Sequence, residues 1–389
     1  MKKTSNVLPL SMFLLGILSI SPVFYWIGIR SLYINYGLFI FIIFLINTRQ
    51  IKIKLSFIIS AGILVFLSGI TALKWGLSFN SIFEQIPLIL SVLLLIISNE
   101  IEHEIFIDIA TVFVSVLIVL SWIGMIIYFI GKFNPVVLID QFDRSIYYYL
   151  TTLSYQGLNI IRPSGIYDEP GTMSYIICSV VVFRKIFNKD LKTDWFLIIG
   201  GLITLSVSHV LCLILFFIVD IRKFKSNMTI PILIVFSILI FVPLLNDYSF
   251  YEFTSRFDID DAGRFAGDNR ADRLISAYKY LNVNNFIFGL DGRLFEDFQK
   301  AKNNYDEIGE NVLSPILTKG LLISFPYYVI LLLLLWISFT DSLYFPCIVI
   351  FALLLQRPYA TIPGYSLLST LPIVLFYKRK NHLEVNELK

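Results

Sequence analysis

Arg162, Asp168 and Glu169 fall within ten residues, RPSGIYDEPG (162–171), directly ahead of the apolar run TMSYIICSVVVF. Pro170 suits the first position of a helix, where its missing N–H is no loss. That puts Glu169 at or beside the N-cap. A helix N-terminus attracts anions, and an arginine fork matches phosphate oxygens. Gly165 would let a substrate approach the backbone closely. These residue types could hold a phosphate group with a carboxylate beside it. They could equally form an Arg162–Glu169 salt bridge that pins a loop, and the residues alone weigh the two readings the same.

A second constellation lies in DNRADRLISAYKYLNVNNFIFGLDGR (268–293). Asn269 and Asp272 read as a cap and its partner three residues on. Helical spacing then gathers Ala271, Leu274, Ile275, Tyr278 and Leu281 on one apolar face. Arg270 and Arg273 lie about 60° apart at its edge. A surface helix near 269–281 would hold both guanidiniums at the depth of lipid phosphates, although plain attraction to anionic headgroups explains the same pattern. Arg264 is a third cationic candidate, and Asp268 a further carboxylate. DIDD (258–261) has the form of a metal-binding acid pair but reads better as a solvated acidic loop. His209 could accept a proton; a hydrogen-bonded structural role is the commoner case for a membrane-buried histidine. His103 and His382 read as surface residues on the cytoplasmic side. Tyr147, Tyr148, Tyr149, Tyr155 and Tyr167 could stack on sugars or anchor the chain at an interface. Nucleotide-binding, metalloprotease, serine-hydrolase and dithiol signatures are missing from the sequence.

What must position these residues is an apolar scaffold. The chain of 389 residues is 57% hydrophobic and only 15% charged, far below the charge of an average soluble domain. This composition points to a polytopic membrane protein. The three cysteines, Cys178, Cys212 and Cys347, sit inside apolar runs and read as small apolar fillers. The basic, then apolar, start of the chain reads as a retained first helix and not a cleaved signal. Basic clusters at 2–3, 49–54, 184–192, 222–225 and 378–380 mark the cytoplasmic side. Apolar runs between them give about 12 spanning segments. The run 194–220 is flanked by basic residues at both ends, and its 27 residues are too few for two full spans. It therefore reads as two short helices broken near Ser206–His209, as tolerated where backbone lines a polar cavity. This parity places 131–170 and 248–311 on the outer side, the latter with thirteen acidic and eight basic residues between Asp247 and Glu310. Residues 1–389 read as one integral membrane domain without internal repeats.

Several stretches, in this order, resemble the bacterial O-antigen polymerase and O-antigen ligase superfamily. RPSGIYDEPGTMSY resembles that family's Arg-x-x-Gly…Glu-Pro segment at a helix start. LITLSVSHVLCLILFF resembles its short helix break. RLISAYKYLNVNNFIFGLDG resembles its arginine followed by a glycine-rich turn, with fifteen residues between Arg273 and Gly289. ENVLSPILTKGLLIS resembles its polar-start helix with a glycine, here Gly320. The resemblance implies a GT-C-like, all-α polytopic fold of about 12 segments, two of them short and broken. A large outer loop would lie between late helices. The ligase branch carries a histidine in that loop; residues 248–311 have none, and Asn311 stands at a comparable place, which favours the polymerase branch.

The implied activity is glycosyl transfer between oligosaccharide repeat units carried on undecaprenyl pyrophosphate, at the outer face of the bacterial cytoplasmic membrane. Arg162, Arg270 and Arg273, with Arg264, would stabilise the departing pyrophosphate. Glu169 would deprotonate the acceptor, with His209 and Asp268 as alternatives. Gly165, Tyr167 and Asn311 would contribute to substrate binding. No metal or cofactor is implied. The partners would be lipid-linked glycans, membrane lipids and a chain-length regulator, with no nucleic acid. A flippase for the same lipids is the main alternative, but it would be expected to have short loops and two related halves. A ligase would share the chemistry and differ in its acceptor.

Overall fold

The computed structural model describes residues 6–29, 31–76, 82–131, 134–139, 145–157, 160–221, 274, 277–290 and 311–387. These are mostly helical. They fall into two compact units, one within Met1–Val112, Lys185–Phe187 and Arg273–Lys389, the other within Phe113–Arg184 and Asn188–Asp272, where the sequence suggests one continuous domain.

The first unit holds α1 (Val7–Phe13), which runs into a π-helical turn (Leu14–Leu18), α2 (Val23–Trp26), α3 (Ser31–Thr48), α4 (Leu55–Trp75) and α5 (Ile86–Ile97). The long helix α6 (Glu100–Ile130) begins in it. Late in the chain come α10 (Val283–Phe288), α11 (Ser314–Lys319), α12 (Leu321–Thr340), α13 (Cys347–Gln356) and α14 (Pro363–Glu387). Small residues let this unit pack closely. A Cβ on Gly16 would lie 2.7 Å from Leu367 Cδ2, and one on Gly364 would lie 2.4 Å from Ile20. The hydroxyls of Ser366 and Thr370 in α14 donate to their own helix, to the carbonyls of Ile362 (2.9 Å) and Ser366 (2.7 Å), so they enter the core satisfied.

Among the described residues three helices are long and apolar enough to cross a membrane: α4, α6 and α12. The expected 12 spans are not met at that length. The apolar stretches Val7–Leu18, Tyr33–Thr48, Ile86–Ile97, Val207–Ile218 and Cys347–Gln356 form shorter helices, and the apolar run 229–247 lies outside the described residues. The long helices have clear stops. Gly76 ends α4 at φ +62, and α12 starts from Gly320 at φ +73. His103, expected at the surface, is fully buried near the start of α6 and bonds to the Ser98 hydroxyl. The start itself is a reciprocal cap: Asn99 Oδ1 accepts from Glu102 N at 2.8 Å, and Glu102 Oε2 accepts from Asn99 N at 2.9 Å.

The second unit departs from an all-α fold. Residues expected to form an outer loop make a four-stranded antiparallel meander, β1 (Val136–Ile139), β2 (Ser145–Tyr149), β3 (Thr152–Gly157) and β4 (Ile160–Gly165), in the order β1-β2-β3-β4. The runs VVLI and SIYYY are β-branched and aromatic, which suits a pleated, half-buried surface. Pro163 is tolerated because β4 is an edge strand. The sheet docks on α6. Thr151 Oγ1 donates to the Leu120 carbonyl (2.8 Å), Tyr149 meets Tyr128 edge-on at 5.6 Å, and Gly124 leaves room for Thr152. The unit continues through α7 (Pro170–Ile186), α8 (Leu191–Gly200), a 3-10 turn (Gly201–Thr204) and α9 (Val207–Ile221). Arg184 closes the α7–α8 turn, donating to Asp194 Oδ1 at 2.6 Å and Asp190 Oδ2 at 2.7 Å. Asp190 also caps α8 by accepting from Thr193 N at 2.8 Å.

Gly289 (φ +78) and Gly320 (φ +73) meet backbone to backbone; a Cβ on Gly320 would lie 2.4 Å from the Ile287 oxygen. Gly320→Ala should cost at least ~2 kcal/mol through strain and collision, read as a lowered Tm in detergent. Gly37→Ala in α3, where nothing lies within 4 Å, should leave Tm unchanged or raise it. At the α8 cap, the Thr193 N–H foremost, then its hydroxyl and Arg184, hold the Asp190 carboxyl down to about 2 from an ordinary 3.8. A carboxyl depressed in the folded state contributes stability above its ordinary pKa and loses it as pH falls from about 4 towards 2. The difference in Tm between wild type and Asp190→Asn should therefore shrink across that window.

Candidate functional site

The second unit carries the candidate residues that are close in sequence. Arg162 leaves β4 half-buried, its N–H donating to Ser154 Oγ at 3.1 Å. Its Nη2 donates to the carbonyl of Leu205 at 3.2 Å. Leu205 follows the 3-10 turn with φ +46, an unusual conformation for a side chain of its kind. At such an interruption a carbonyl loses its helical donor, and the arginine supplies one. Arg162 is thus tied to the helix break, which falls at Gly201–Ser206, slightly earlier than the sequence suggests.

The turn after β4 closes on itself. Tyr167 N donates to Ser164 O at 3.0 Å, and Ser164 Oγ donates to Tyr167 O at 2.6 Å. The Tyr167 ring, read as a platform for sugars or an interfacial anchor, is fully buried. Gly165 needs its glycine because φ is +64, and Met173 Sδ would lie 3.3 Å from an added Cβ. The space beside it is therefore filled by protein. Its N–H donates to Thr152 Oγ1 at 3.0 Å. Pro170 is the first residue of α7, and Glu169 O accepts from the N–H groups of Thr172 (3.0 Å) and Met173 (3.3 Å), the backbone position of an N-cap. Asp168 and Glu169 are both half-buried.

His209, near the start of α9, is 1% exposed. Its Nε2 lies 2.7 Å from the Ile198 carbonyl, which fixes the proton there. Nδ1 then accepts from Ser174 Oγ of α7 at 3.0 Å, with Cys178 Sγ 3.7 Å away. Both ring nitrogens are engaged, so the ring links α7, α8 and α9 and presents no spare nitrogen to a substrate. The Gly200–Gly201 pair makes this possible. A Cβ on Gly201 would sit 2.3 Å from His209 Cε1, and one on Gly200 2.6 Å from Ile118 Cγ2. Sequence reasoning passed over both glycines and Ser174; a glycine doublet inside an apolar run was the available signal.

Asn311 belongs to the first unit. Its Oδ1 accepts from Leu313 N (2.8 Å) and Ser314 N (3.2 Å) in the turn that leads into α11. Of the expected surface helix, Leu274 and residues 277–279 are described and helical. Its buried side is Ala277, packed with Leu290 and Leu317, while Tyr278, expected on the apolar face, is 69% exposed. Packing against α11 selects that side, which the helical period of an isolated segment cannot do. Arg264, Asp268, Arg270, Arg273 and the acidic run 258–261 lie outside the described residues. Within the second unit, then, β4 carries a half-buried arginine tied to the Leu205 carbonyl, and the turn that follows carries two half-buried carboxylates at the start of α7; residues of these types can bind an anion and take up a proton.

No protein-family model, no curated protein and no solved structure matches this chain. The His209 network predicts that His209→Ala strands two buried polar groups, at a loss of about 1–3 kcal/mol, seen as a lower Tm in detergent. Gly201→Ala should act in the same direction by pushing the ring away.

Proposed function

We propose that the chain is a membrane-embedded glycosyltransferase that joins oligosaccharide repeat units carried on undecaprenyl pyrophosphate, at the outer face of the bacterial cytoplasmic membrane. The observation that carries this reading is the half-buried Arg162 of β4, followed after one turn by Asp168 and Glu169 at the N-terminus of α7, in a chain whose longest apolar helices suit a bilayer. The basic clusters put both termini on the cytoplasmic side and this segment outside. The bond between the donor's anomeric carbon and its phosphate oxygen breaks. An acceptor hydroxyl oxygen bonds to that carbon, and its proton passes to Glu169. Arg162 takes up charge that develops on the leaving pyrophosphate; Arg264, Arg270 and Arg273, which lie outside the described residues, are the further cations that the resemblance implies for this role. A chain-length regulator is the partner this activity would engage.

The test is surface glycan length in cells whose own copy is replaced by wild type, Arg162→Ala, Arg162→Lys or Glu169→Ala at equal protein level. The reading expects single repeat units from the alanine variants. Arg162→Lys should recover part of the polymer, since a lysine keeps the charge but loses the fork. If deletion of the chain leaves no repeat units on the outer face, the chain exports them and the enzyme reading fails. If repeat length is normal but transfer to a final acceptor is lost, the chain is a ligase.

A further inference from the structure

We propose that the first unit binds an anionic phospholipid, with one acyl chain in a groove between α4, α5, α12 and α14 and the phosphate against Lys54, Arg379 and Lys380. The groove has a volume of about 510 Å³ and is walled by residues such as Ala61, Leu64, Ile89, Pro326, Ile330 and Val374. That is within the range of pockets that take small ligands.

The walls select the occupant. Two of the three hydroxyls in the lining are consumed by their own helices. Ser60 Oγ donates to Ser56 O at 2.9 Å, and Thr370 Oγ1 to Ser366 O at 2.7 Å. The third, Tyr377, is 43% exposed. A peptide entering the groove would leave its backbone N–H and C=O groups unmet; a hydrocarbon chain has none to satisfy.

The charges select the headgroup. Lys54 precedes α4 by one residue and is its N-cap, and the groove begins at Phe57, one turn further on. On α14 the groove reaches Tyr377, and Lys378, Arg379 and Lys380 follow. The two sets share one end of the groove. Trp75 Nε1 donates to the Phe288 carbonyl, and Gly289 touches Gly320, so the far end of α4 lies by the start of α12. Trp336, late in α12, meets Phe376 edge-on at 5.4 Å. The end of α12 thus lies by the basic end of α14, and α4 runs the other way and starts there. Lys378 donates to the carbonyls of Leu95 (2.8 Å) and Ser98, fixing α14 against the end of α5. Lys54, Arg379 and Lys380 are exposed. The N-terminus of the 21-residue helix α4 adds its own positive end. A basic cluster at the end of a groove between apolar helices fits an anionic lipid of the leaflet that the basic clusters face.

The full chain, purified in a neutral detergent and stripped of lipid, is titrated with palmitoyl-oleoyl phosphatidylglycerol or with phosphatidylcholine of the same chains, and bound lipid is counted by native mass spectrometry. Phosphatidylglycerol should bind more tightly than phosphatidylcholine. Each of Lys54→Gln, Arg379→Gln and Lys380→Gln should reduce that preference about five-fold. Ala61→Trp, which fills the groove and leaves the charges in place, should weaken both lipids. Equal binding of the two lipids, or a preference that survives all three neutral variants, overturns the charge assignment. Undiminished binding by Ala61→Trp overturns the groove, as does a dimer in light scattering whose dissociation is needed before lipid binds. Tm without lipid shows that each variant is folded, and because the three charge changes are on exposed side chains they can be read singly.

Discussion

A helix interrupted inside apolar protein leaves carbonyls without donors, and most of the second unit is arranged around meeting that need. The break at Gly201–Ser206 frees backbone oxygens where water is scarce. Arg162 reaches one of them from β4, at Leu205, and His209 reaches another, at Ile198. Each donor has to be held in place by something else. Ser154 and the β3–β4 ladder hold Arg162, while Ser174 and the glycine doublet hold the ring of His209. The sheet, α7 and the broken helices are therefore one hydrogen-bonded arrangement, and the turn carrying Asp168 and Glu169 sits on it.

This gives Arg162 two aspects. One arm of the guanidinium satisfies the backbone at Leu205, two residues ahead of α9, and the residue as a whole is half-buried. His209 meets the same kind of backbone need, at Ile198, with a neutral donor. The proposed function gives the Arg162 charge a use, on the segment that also carries Asp168 and Glu169.

In the first unit close approach is the governing requirement. Gly16 with Gly364, and Gly289 with Gly320, let backbones meet where any side chain would collide. Between bilayer-suited helices there is little hydrophobic gain to be had from association, so short-range packing and satisfied polar groups must supply the cohesion. The same principle explains why serines and threonines in α14 bond to their own helix, and why the groove walls are mostly hydrocarbon.

The sequence by itself determined the apolar, helical character, the long helices α4, α6 and α12, the start of α7 at Pro170 and the existence of a helix break after residue 200. Those features depend on local composition and on residues such as proline and glycine whose backbone limits are intrinsic. Tertiary structure alone decided that β1, β2, β3 and β4 pair as a sheet, because strand pairing is settled by the α6 surface on which Thr151 and Tyr149 dock. It also decided that Tyr167 and His103 are buried, that His209 has both nitrogens engaged and that Ala277, not Tyr278, faces the core. A side chain's type states what bonds it can make. Which of them it makes depends on partners brought in from distant parts of the chain, and that is set only when the chain is folded.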